Sequence, residues 1–111
     1  MNHPTQPDMT KMRLAASEAT TVMRTLANED RLLLLCQLSQ GEMSVSELEE
    51  ALEIRQPTLS QQLGVLRTEN LVQTRRDGKR IYYSVADPKA LSILGMLYEL
   101  YCPKVGEHLD D

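Results

Sequence analysis

The segment IRQPTLSQQLGVLRTENLVQTRRDGKRIYYSV, Ile54 to Val85, constrains the fold more tightly than any other part of the chain. Its first half spaces Leu59, Leu63 and Leu66 so that they share one face of a short helix and pack inward. The opposite face carries Thr58, Gln61, Gly64 and Val65, flanked by Gln56, Ser60 and Gln62. Pro57 suits the first turn of this helix, which is expected to run to about Asn70. The second half alternates through Leu71 to Arg76 and Lys79 to Val85, around Asp77-Gly78, a strong signal for a two-residue type I′ hairpin turn. A polar-faced helix followed at once by a basic hairpin is the order of a winged helix-turn-helix. One element suits the major groove of double-stranded DNA and the other the backbone beside it.

The rest of the chain supplies the helices such a motif packs on. Met12, Ala15, Ala16, Ala19, Val22, Met23 and Leu26 recur at helical spacing and predict a helix from about Thr10 to Ala27. Asn28 can cap a second helix, with Glu29 and Asp30 in its first turn, Leu32, Leu34, Leu35 and Leu38 along it, and Gly41 just past its end. Ser46-Glu47-Leu48-Glu49 reads as the capping box of a short third helix that buries Leu48 and Leu52. Asp87 and Pro88 open a last helix with Leu91, Leu94, Tyr98 and Tyr101 as its apolar stripe, and Pro103 ends it.

The expected fold is mainly α, in the α+β sense: a winged helix-turn-helix in the order α-α-α-α-β-β-α. One domain over residues 10–103 is expected, between a polar N-terminal tail (1–9) and a polar C-terminal tail (104–111). A chain of 111 residues builds one modest core, so a dimer that buries more apolar surface fits it. No apolar run approaches membrane-spanning length and no leader pattern opens the chain, so a cytoplasmic location and no membrane partner are expected.

Charge is distributed unevenly. The total is −4, which alone argues against nucleic acid. From Arg55 to Arg80, however, six basic residues face two acidic ones, for +4, while Gln40 to Ile54 holds five acids and no base, for −5. Binding to a polyanion follows local potential more than the total. The expected wing cations are Arg75, Arg76, Lys79 and Arg80. A two-residue turn at Asp77-Gly78 would set Arg76 opposite Lys79 and Arg75 opposite Arg80, like-charge pairs that phosphate would relieve. The same register sets Thr74 beside Ile81 and Val72 beside Tyr83, facing the core, with Tyr82 on the other face, as a support for the wing ahead of a contact to DNA. On the helix, amide side chains such as Gln61 can read adenine edges and hydroxyls serve bases or phosphates. A merely solvated polar face is the alternative for the helix, and an edge-protecting charged hairpin the alternative for the wing.

Two cysteines stand 66 positions apart: Cys36 in LLLLCQL and Cys102 in YELYCP. Neither belongs to a CxxC or another metal-ligand spacing, and each taken alone also fits a buried structural thiol. Neither has local chemistry that would favour thiolate. Leucines surround Cys36, and Cys102 lies at a helix C-terminus. The only histidines, His3 and His108, fall in the tails. No nucleophile, base and orienter can be placed together, so an enzyme is not expected.

The stretch LANEDRLLLLCQLSQGEMSVSELEEALEIRQPTLSQQLGVLRTENLVQTRRDGKRIYYSV resembles the ArsR/SmtB family of bacterial repressors, most specifically in QPTLSQQLGVLR and RRDGKRIYYSV. The resemblance spans nearly the whole chain. It implies a homodimer formed through the first and last helices and an inverted-repeat DNA operator. It also puts Gln56, Thr58, Ser60, Gln61 and Gln62 on the recognition helix. Within the family, the cysteines in LLLLC and LYCP resemble the BigR/SqrR/HlyU-like branch of persulfide and reactive-sulfur sensors. That resemblance implies Cys36 and Cys102 as the sensing pair. Their cross-linking would release DNA and derepress genes of the sulfide-detoxification type, with reactive sulfur species as the inducer and no cofactor. The metal-sensing branches fit poorly: SVSELEEAL has no Cys or His, and the span from Pro88 to Cys102 has no Asp or His. A general-oxidant sensor, a dithiol sensor of a soft ion such as Cu(I) or As(III), and a winged-helix protein-interaction module are the other readings.

Overall fold

A computed structural model describes residues 8–102. The expected tails, with His3 and His108, lie outside them, except that Asp8 caps the first helix and Met9 begins it. Pro103, expected to end the last helix, also lies outside them. Helix α1 runs Met9–Leu26, α2 Glu29–Leu38, α3 Val45–Leu52, α4 Thr58–Thr68 and α5 Pro88–Tyr101. Strand β1 is Met43–Ser44, β2 Val72–Asp77 and β3 Arg80–Val85, in one antiparallel sheet of order β1-β3-β2. This is the winged helix-turn-helix expected, with one short strand added. Among the described residues, no helix is long and apolar enough to cross a membrane.

Local chemistry sets the helix ends. Asp8 accepts from Thr10 N, Asn28 from Arg31 N and Asp87 from Lys89 N, so side chains satisfy backbone donors left free at three helix starts. The α3 capping box starts two residues earlier than expected. Ser44, not Ser46, is the N-cap; its Oγ accepts from Glu47 N at 3.2 Å, while the Glu47 carboxylate accepts from Ser44 N at 2.8 Å. That reciprocal bond holds the Glu47 carboxyl below its usual range. The earlier cap leaves Met43 and Ser44 extended, and they pair with Tyr83 and Tyr82 of β3.

The core gathers one face from each helix. Leu34, Leu35, Leu48, Leu59, Leu66 and Leu94 are fully buried, joined by Leu63, Leu71, Val72 and Tyr83. The three leucines expected on the inner face of α4 are all there. Burying one such side chain is worth about 1.5–3 kcal/mol, so this layer seats α4 in the core.

The hairpin register corrects the expected one. Asp77 pairs with Arg80, Arg76 with Ile81, Arg75 with Tyr82, Thr74 with Tyr83 and Val72 with Val85. The pairing is therefore slid by two residues, and the two like-charge pairs do not exist. Because side chains alternate with period two, the slip keeps the alternation of faces, but Thr74, expected against the core, is exposed, since Val72 is the one β2 residue that is buried. The turn residues are Gly78 and Lys79. Gly78 supplies φ +64 at the first central position and Lys79 has no positive φ, the pattern of a type II′ turn rather than I′. The register places opposite charges across the tip and Ile81 across from Arg76.

Candidate DNA interface and dithiol pocket

The outer surface of α4 divides its polar side chains by task. Pro57 occupies the N-cap position and provides no side-chain acceptor. Gln56, expected on this helix, lies in the turn before it and supplies the acceptor instead: its Oε1 accepts from Ser60 N at 3.1 Å and from Ser60 Oγ at 2.7 Å. Gln56 and Ser60 thus serve the first turn of the helix. Gln62 is half-buried, and its Oε1 accepts from Arg31 Nη1 of α2 at 3.2 Å. Gln61 is exposed, Thr58 half-buried, and neither side chain has a hydrogen-bond partner among the described residues. Of the five candidate readers, Gln61 and Thr58 are the ones whose side chains make no hydrogen bond among the described residues. Arg31, which sequence spacing did not single out, is the partner that Gln62 lacked.

The wing divides its cations in the same way. Arg75 donates from Nε to Glu42 Oε2 at 3.0 Å and from Nη2 to Glu42 Oε1 at 2.7 Å, a bidentate pair. Its guanidinium also lies 4.7 Å from the centroid of the Tyr82 ring. The hydrogen bond from Arg75 holds the Glu42 carboxyl below its usual range, and the same bond raises Arg75. Arg75 therefore anchors the base of the hairpin, and Tyr82 supports the wing. Arg76, Lys79 and Arg80 are exposed and form no ion pair among the described residues. Glu42 could not be found from the sequence as a partner, since it lies 33 positions from Arg75.

Away from the wing, α2 and α5 bring the two cysteines to one place. Cys36 lies on α2, and Cys102 closes α5, its backbone N donating to Tyr98 O at 3.0 Å. Both thiols are free and half-buried. They line a single cavity of about 320 Å³ with Glu29, Leu32, Leu33, Leu97 and Tyr101. Burial pushes the Cys36 thiol up, and a negative charge on Cys102 pushes it further, so the two sulfurs lie within electrostatic reach. Among the described residues, no group of three or more His, Cys, Asp or Glu is placed to hold a metal ion.

Known proteins share both the sequence and this architecture. Residues 28–74 match the bacterial regulatory protein, arsR family. The biofilm growth-associated repressor of Agrobacterium fabrum is 52% identical over 91 residues, covering 82% of this chain and 78% of that protein. The crystal structure of the transcriptional repressor BigR from Xylella fastidiosa superposes with a TM-score of 0.82 at 42% identity, covering 91% of this chain and all of that one. Reduced HlyU from Vibrio cholerae superposes with a TM-score of 0.80 at 35% identity, covering 84% and 98%. The chain belongs to the arsR family of bacterial regulatory proteins, as a non-enzymatic, DNA-binding transcriptional repressor of the BigR/HlyU type.

Proposed function

We propose that this repressor binds an inverted-repeat operator as a homodimer and releases it when reactive sulfur joins Cys36 to Cys102. The observation that carries the reading is the shared cavity: two thiols 66 positions apart in sequence line one apolar space between α2 and α5. In the reduced state, Gln61 and Thr58 face bases, and Arg76, Lys79 and Arg80 lie on phosphates. Half-sites one turn apart, about 10 bp, suit such a dimer. A bond between α2 and α5 pins the helix that supports α4 to the helix expected at the dimer interface. The two states then differ in the placement of the two recognition helices, which is what a change in DNA affinity requires.

The chemistry needs no oxidant beyond the sulfur donor. One cysteine attacks the outer sulfur of a hydropersulfide RSSH, becomes Cys–SSH and releases RSH. Where the two thiols can meet directly, attack by the second on the inner sulfur of Cys–SSH closes a plain disulfide and releases hydrogen sulfide. If both cysteines are first persulfidated, one attacks the other and a trisulfide forms with loss of hydrogen sulfide. Each step breaks one S–S bond and makes one. The cavity of about 320 Å³ that both thiols line has room for added sulfur. A plain disulfide needs Cα atoms within about 7 Å, so a pair held farther apart than that is bridged only through added sulfur.

Intact-mass and peptide mass spectrometry after treatment with a persulfide donor, or with peroxide, tests the reading. A Cys36–Cys102 cross-link carrying extra sulfur, formed by the donor and not by peroxide, is the expected result. Equal formation of a plain disulfide by both reagents would mean a general oxidant sensor. Release of DNA on addition of Cu(I) or As(III), with no sulfur added, would mean a soft-ion sensor.

A further inference from the structure

The arginine at position 31 joins three helices through one guanidinium. Its Nε donates to Thr25 O at 2.7 Å and its Nη2 to Arg24 O at 3.5 Å, both carbonyls in the last turn of α1. Its Nη1 donates to Gln62 Oε1 on α4 at 3.2 Å. Its own backbone N is held by the Asn28 cap at the start of α2. Cations are favoured beside a helix C-terminus, and among the described residues Arg31 is held by the α1 carbonyls with no salt bridge. A planar fork with donors on several nitrogens can span these acceptors at once; an ammonium on a flexible stem cannot.

We infer that Arg31 is a positioning residue for operator binding, fastening the recognition helix, through Gln62, to the end of α1. Gln62 then acts by holding α4 at its angle, and base choice is left to Gln61 and Thr58. The bond also fixes which end of the Gln62 amide faces inward, because only its oxygen can accept from a guanidinium. The Leu59, Leu63 and Leu66 layer sets the depth of α4 in the core. Arg31 adds a directional tie outside that layer, on the side where α1 ends. This inference rests on the DNA-binding role alone and is independent of how the cysteines act.

The test measures operator affinity for Arg31→Met, Gln62→Met and the double variant, on the full chain, with thermal unfolding recorded for each. A panel of operators, each altered at one base pair, gives the base preference. Each single change is expected to weaken binding about 10-fold, in line with loss of a hydrogen bond to a charged group. The double variant should be no worse than the weaker single one, and the rank order of the altered operators should be unchanged. Arg31→Lys keeps a cation beside the α1 carbonyls, so it should fold normally and yet show the same loss of affinity. Strictly additive losses, or a Gln62→Met protein that changes preference at particular base pairs, would overturn the assignment. So would full affinity in Arg31→Lys.

Discussion

The surroundings of Cys36 push its thiol up from the ordinary value. Burial among the leucines of α2 is the larger cause and the nearby Cys102 charge the smaller. Since the folded state raises this group, the protonated form stabilises the fold below the ordinary thiol range, and that contribution is lost as pH rises through the raised value. Reactivity runs the opposite way, because the thiolate is the nucleophile. In a pH series, alkylation of Cys36 should therefore reach its midpoint above that of a free thiol. In Cys102→Ser the midpoint should fall only slightly, since burial remains; a midpoint below that of free cysteine would contradict the assignment. The leucines flanking Cys36 were enough to anticipate this direction. The partners of Gln62 and Arg75 were not legible, since Arg31 and Glu42 lie 31 and 33 positions away and only tertiary packing brings them near.

At the scale of elements, the wing shows what alternation can and cannot decide. Period-two patterning put Val72, Thr74, Tyr83 and Ile81 on one face, and the structure keeps them there. It does not fix the pairing to within two residues, because a slip of two preserves every face. The register depends instead on whether the turn takes Asp77-Gly78 or Gly78-Lys79 as its centre, and the φ of Gly78 decides for the latter. Strand β1 escaped notice because two residues carry no periodicity, and Ser46 competed with Ser44 for the same capping pattern. The observed register removes the like-charge pairs but leaves Arg76, Lys79 and Arg80 exposed. Replacing those three together should weaken binding to all DNA sequences and flatten the dependence of log affinity on log salt, by about 0.9 for each phosphate no longer neutralised. Replacing Arg75 should leave that slope nearly unchanged, since its charge is already paired with Glu42. A titration across salt concentrations separates the two outcomes.

At the scale of the molecule, input and output occupy different elements. The basic wing and the Gln61 face lie on α4 and the sheet, while the two thiols lie between α2 and α5. The single chain also leaves large apolar side chains in the open. Met9, Leu14 and Met23 on α1, and Met96, Leu100 and Tyr101 on α5, are each more than half exposed. A solvated monomer has no use for two such faces, and they support the expected pairing of copies through α1 and α5. A bond across the cavity would act on α5 directly and on α4 through α2, so one chemical event could move both half-site readers. Operator affinity of wild type, Cys36→Ser and Cys102→Ser, each reduced and then treated with a persulfide donor, tests this most directly. All three reduced proteins should bind alike, and only wild type should lose affinity on treatment. A serine variant that still releases DNA, or a wild type that keeps it once cross-linked, would contradict the account.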